Sequence, residues 1–97
     1  MSYLFAGASL FNENITMWDV GMVEDMGNMF IAAYAFNQDI GDWDTSSVNS
    51  MHGMFDEATS FNQDLSGWNV NNVRECSDFS PDGGDWTEPR PMFSVSC

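Results

Sequence analysis

Apolar positions along this chain recur at a fixed interval of 25 residues. Phe11, Phe36 and Phe61 superpose under that shift, as do Trp18, Trp43 and Trp68, Phe5, Phe30 and Phe55, Val23, Val48 and Val73, and Ala8, Ala33 and Ala58. Ile15, Ile40 and Leu65 hold one aliphatic slot, Leu4, Met29 and Met54 a second, and Met1, Met26 and Met51 a third. A polar slot keeps the same register at Asn12, Asn37 and Asn62. Repetition on this scale is the signature of units that cannot bury their apolar faces alone and must stack on one another, so that equivalent side chains form ladders. Three units follow, residues 1–25, 26–50 and 51–75, and then a degenerate fourth unit or cap at residues 76–97. In that tail Cys76, Phe79, Trp86, Phe93 and Val95 keep apolar slots, while Arg90 takes the place of Leu65.

Within a unit, Val48, Met51, Met54, Phe55 and Ala58 are spaced by three and four residues, which predicts one apolar helical face. Ser46 and Ser47 stand where an N-cap is expected. The segment from Ile40 to Thr45 suits one short strand. The expected fold class is therefore α/β, with one short helix and one short strand per unit. The Asn slot predicts an amide ladder that satisfies backbone groups at a corner.

Composition narrows the function more than the fold. The chain has 97 residues, room for one small domain with a thin core. Its 8 Phe, 8 Met and 4 Trp carry much of the apolar content, and Met adapts to irregular gaps. Fifteen acids against two arginines and no lysine set the formal charge at −13, which opposes binding to nucleic acid or anionic membranes. No stretch approaches the roughly 20 apolar residues that span a bilayer. The opening residues occupy repeat slots at Met1, Leu4, Phe5 and Ala8, which favours repeat over signal peptide. Cys76 and Cys97 allow at most one disulfide and match no metal motif.

The segments "MFIAAYAFNQDIGDWDTSSVNSM" at residues 29–51 and "MFDEATSFNQDLSGWNVNNV" at residues 54–73 resemble BspA-like surface-protein repeats, a Met/Phe-rich branch of the leucine-rich repeats. The likeness covers roughly residues 1–75. It implies a right-handed, leucine-rich-repeat-like solenoid in long repetitive proteins of cell surfaces, and no catalytic residues. The chain is short beside such proteins, and no signal sequence or anchor is read in it.

Several residues invite chemistry. Acids recur at Asp39 and Asp64, with Asn14 on the same rung, and at Asp19 and Asp44, with Asn69 on the third. Like charges about 5 Å apart repel by roughly 1 kcal/mol in water and about 3 kcal/mol at an intermediate dielectric. Calcium would relieve that repulsion, yet solvent and the interposed Asn suffice; a corner-forming role is preferred, and no cofactor is required. Asp78 to Gly83 imitates the start of an EF-hand loop, but Pro89 stands where the loop needs its bidentate Glu. Trp18, Trp43 and Trp68 offer either a glycan-stacking strip or a buried layer, and the buried layer is preferred. His52 belongs to no repeated site. Asn14-Ile15-Thr16 matches a glycosylation triplet, a pattern common by chance. No nucleophile motif, zinc spacing or phosphate loop occurs, so an enzyme is not expected. The reading is a structural or interaction module that contacts a protein or glycan partner, with a calcium-dependent module on the acidic ladders as the alternative.

Overall fold

A computed structural model describes residues 1–81, 83–84, 86–95 and 97. Turns build it, and they recur in register. Residues 2–7, 27–32 and 52–57 form one series, residues 16–17, 41–42 and 66–67 a second, and residues 21–22, 46–47 and 71–72 a third. Among the described residues there is no helix, and the strand pairing amounts to two isolated parallel bridges, Asp25 with Ser50 and Ser50 with Glu75. The expected α/β solenoid, leucine-rich-repeat-like with a helix and a strand in each unit, is therefore wrong. The chain instead forms a body of 30 × 27 × 21 Å in which turn-built layers lie against one another.

Backbone hydrogen bonding explains the missing helix. In the first layer Leu4, Ala6 and Ala8 donate back three residues to Met1, Tyr3 and Phe5, at 3.2, 3.0 and 3.0 Å. The intervening Tyr3, Phe5 and Gly7 donate outward to Gly27, Met29 and Ile31, at 3.1, 2.9 and 2.8 Å. Asn28, Phe30 and Ala32 repeat this toward His52, Met54 and Asp56, and Gly53 and Phe55 toward Ser77 and Phe79. An α-helix would spend its N–H groups within the segment; here alternate groups bond the next layer. The spacing of three and four is still satisfied, because Val48, Met51, Met54, Phe55 and Ala58 all point inward.

Backbone dihedrals enforce the alternation. Tyr3, Asn28, Gly53 and Asp78 have positive φ, and so do Gly7, Ala32 and Glu57. Left-handed conformation costs a non-glycine residue roughly 1–2 kcal/mol and interrupts a right-handed helix. Gly53 is placed where a Cβ would run into the Asn28 side-chain oxygen, so glycine there serves both conformation and space. The segment expected as a strand is also a turn: Trp43 donates to the Ile40 carbonyl at 3.1 Å. Ser46 and Ser47 cap no helix. The Ser46 hydroxyl bonds Asp44 at 2.6 Å and the Ser47 hydroxyl donates to the Gly21 carbonyl at 2.7 Å.

Aromatic columns fill the interior. Phe5, Phe30 and Phe55 stack at 5.6 and 5.3 Å, and Phe11, Phe36 and Phe61 at 5.7 Å for each step. Each phenylalanine also stacks on its partner within the layer, as Phe30 does on Phe36 at 4.1 Å. Every fully buried ring contributes about 1.5–3 kcal/mol. Thr45, in the slot of Val20 and Val70, is buried with its hydroxyl donating to the Asn69 carbonyl at 3.0 Å.

The tail closes one end of this column. Trp86 meets Phe61 edge-on at 4.8 Å, Phe93 meets Phe79 at 5.0 Å, and Leu65 donates to the Pro89 carbonyl at 2.9 Å. Arg90 is not a core residue in its leucine slot. It is exposed, with its guanidinium carbon 4.7 Å from the centre of the Trp86 ring. Cys76 and Cys97 form a disulfide with Cα atoms 5.4 Å apart.

Candidate functional site

The acidic rungs are turn-forming groups. Asp39 Oδ1 accepts from the Gly41 N–H at 3.1 Å, and Asp64 Oδ1 from the Ser66 N–H at 2.9 Å and hydroxyl at 2.6 Å. On the other rung Asp19 accepts from the Gly21 N–H at 3.1 Å and Asp44 from the Ser46 N–H at 3.0 Å. Asn14 and Asn69 make the same turn, which explains why asparagine substitutes for aspartate there. The Ser66 hydroxyl, and then its N–H, hold the Asp64 carboxyl below its ordinary range, and Ser46 does the same for Asp44. Asp39, Gly41, Asp42, Asp64, Ser66 and Gly67 line one open depression. Among the described residues no three His, Cys, Asp or Glu side chains converge as a metal site would require. In the EF-hand-like segment, Asp82 lies outside the described residues, and Asp78 occupies the left-handed turn slot.

The three tryptophans divide. Trp43 and Trp68 are each only 4% exposed, and their indole N–H groups donate to the carbonyls of Ile15 and Ile40 in the preceding layer, at 3.1 and 2.9 Å. Trp18 is 42% exposed. A continuous glycan-binding strip is therefore not formed, and a single open indole remains.

Trp18 belongs to an apolar end of the molecule that sequence reasoning missed. Leu4 (49%) and Tyr3 (63%) are open beside the half-buried Phe5 and Phe11, while Met29, Phe30, Phe36 and their third-layer equivalents are fully shielded. The signal was present in the sequence for Leu4, Phe5, Phe11 and Trp18, which fill apolar slots of the first unit, whereas Tyr3 shares its slot with Asn28 and Gly53.

His52 takes part in a small cluster rather than standing alone. Its Nδ1 lies 2.7 Å from the Ser77 hydroxyl, which donates to Glu75 at 2.6 Å. Since Ser77 gives its one proton to Glu75, the imidazole Nδ1 donates and cannot act as a base toward that hydroxyl. The arrangement holds a charge in place without generating a nucleophile, and Ser77, followed by His52, keeps the Glu75 carboxyl low. Asn14, exposed, accepts the Thr16 hydroxyl at 2.7 Å.

Turn-built layers, aromatic columns and an asparagine ladder define an acidic repeat protein. The chain belongs to the family described as Mycoplasma protein of unknown function, DUF285, whose family model matches residues 1–84. Neither curated proteins nor solved structures give a match.

Proposed function

We propose that this chain is a binding module and not an enzyme, of the BspA-like kind, acting at a cell surface on a protein or glycan partner. The observation that carries this reading is the apolar end around Trp18, Leu4 and Tyr3 on a molecule otherwise strongly acidic. Apolar residues gathered in one patch mark interaction surfaces, whereas scattered ones do not. An indole with one open face stacks on a sugar ring or an apolar side chain equally well. High negative charge keeps the module soluble and disfavours anionic partners.

The test is binding to a glycan array and to intact cells by the native chain and by Trp18→Ala, with the melting temperature of each measured alongside. A loss of at least tenfold in the variant, with melting unchanged, supports the reading. Binding indifferent to the substitution, or no binding by the native chain, removes it.

A further inference from the structure

We infer that Met17, Met22 and Met92 are reversible oxidation sites, at which an oxidant of the peroxide class converts thioether to sulfoxide while the methionines of the core are spared. This goes beyond the binding-module reading and holds whatever the module binds.

The sulfurs of this chain fall into two groups. Met26, Met29, Met51 and Met54 are fully shielded, whereas Met17, Met22 and Met92 are 91, 92 and 79% exposed. Met1, at 39%, lies between them. The openness of the second group belongs to the turns and not to the ends of the column. Met17 and Met92 share the slot of Asp42 and Gly67, which are exposed although each has a layer before it and after it. Met22 shares the slot of Ser47 and Asn72, the first half-buried and the second exposed.

The fold does not ask for methionine at these turns. Asp42 and Gly67 show that one slot accepts a charge or no side chain at all. In the other, the Ser47 hydroxyl donates to the Gly21 carbonyl and the Asn72 amide to the Ser46 carbonyl, each at 2.7 Å. A thioether has no proton to give and cannot make that bond. Burial of apolar surface accounts for the four shielded methionines and for none of these three. What the three share is an accessible sulfur.

The chemistry needs only that access. A sulfur lone pair attacks one oxygen of hydrogen peroxide and the O–O bond breaks. The sulfur keeps that oxygen as sulfoxide, and the other leaves as water with both hydrogens; sulfur loses two electrons and the peroxide gains them. A sulfoxide reductase reverses the change: the oxygen departs as water with the two hydrogens of a dithiol, which closes to a disulfide. A sulfoxide is polar, so it disrupts a core but is solvated at a turn. Cys76 and Cys97 are already joined to each other, which leaves no thiol to compete for the oxidant.

The test exposes the native, disulfide-bonded chain to millimolar hydrogen peroxide and follows each methionine by peptide mass spectrometry, with a urea-unfolded sample alongside. Met17, Met22 and Met92 are expected to take up one oxygen each as fast as in the unfolded chain. Met26, Met29, Met51 and Met54 are expected to be slowed by at least about tenfold, because susceptibility follows access. The product should melt as the native chain does, and a methionine sulfoxide reductase should restore the three thioethers in the folded protein. Equal rates in both groups, protection of the three, a lowered melting temperature on their oxidation, or sulfoxides that the reductase cannot reach would each overturn the inference. Met17→Leu/Met22→Leu/Met92→Leu should also melt as the native chain does. A marked loss of stability in that variant would show that the thioethers serve the fold, and would overturn the inference as well.

Discussion

Asn12 Oδ1 accepts the backbone N–H of Asn37 at 2.8 Å, and Asn37 Oδ1 accepts that of Asn62 at the same distance. The ladder runs into the tail, where Asn62 Oδ1 takes the N–H groups of Thr87 and Glu88 at 2.7 and 3.0 Å. Gln38 and Gln63 reinforce it by donating to the same oxygens from the next residue along. One side-chain type thereby joins every layer to its neighbour at the same corner.

Asn37→Ala removes the acceptor used by Asn62 and Gln63 and is expected to cost about 1–2 kcal/mol. Asn37→Asp keeps an acceptor and is expected to cost less. Urea unfolding of the three proteins checks this, and equal stabilities would show that the ladder does not join the layers energetically.

Trp18 should be the one tryptophan of the repeated slot that a neutral quencher reaches. Acrylamide quenching of the native chain is expected to show an accessible fraction that disappears in Trp18→Phe, with Trp43 and Trp68 protected by burial. An accessible fraction that persists in that variant would place another indole at the surface.

The Cys76–Cys97 disulfide closes a loop of sequence separation 21 over the end of the column. Loop closure of that length stabilises by about 3 kcal/mol on the chain-entropy account. Reduction, or Cys97→Ser, should lower the unfolding midpoint accordingly and loosen residues 76–97 first, as hydrogen exchange would reveal. Unchanged protection of Trp86 and Phe93 after reduction would contradict the assignment.

Asp44, Asp64 and Glu75 are held below their ordinary carboxylate range by Ser46, Ser66 and Ser77. A depressed folded-state pKa stabilises the fold above the unfolded pKa, and that stabilisation is lost as pH falls through the folded one. Native protein should therefore exceed Ser46→Ala/Ser66→Ala in stability at neutral pH, with the gap closing below about pH 4. Taking the difference between proteins cancels the general relief of acidic repulsion on acidification. A gap that survives at pH 2 would assign the serines another role.

Asp39→Asn retains the oxygen that accepts from Gly41 and removes one charge from a molecule at −13. Its melting point should stay the same or rise, by no more than the equivalent of about 1 kcal/mol. Millimolar calcium should move neither protein. Stabilisation by calcium in the native chain alone would restore a metal role to this rung.

The register was legible in the sequence, and the backbone path was not. Spacing by 25 residues identified the phenylalanine columns and the asparagine ladder, because stacking requires the same side chain at the same place in every layer, while in the tail Val95, assigned to the slot of the buried Val70, is exposed. Steps of three and four at Val48, Met51, Met54, Phe55 and Ala58 fit a helix and a run of turns alike, since both return side chains to one face. Only tertiary structure chose between them, by giving alternate N–H groups such as those of Tyr3 and Phe5 carbonyls in the next layer. It also separated Trp18 from Trp43 and Trp68, which the sequence treats as equivalent, because burial depends on having a layer on both sides. Pairing of Cys76 with Cys97 was decided in the same way, by the fold that brings them together.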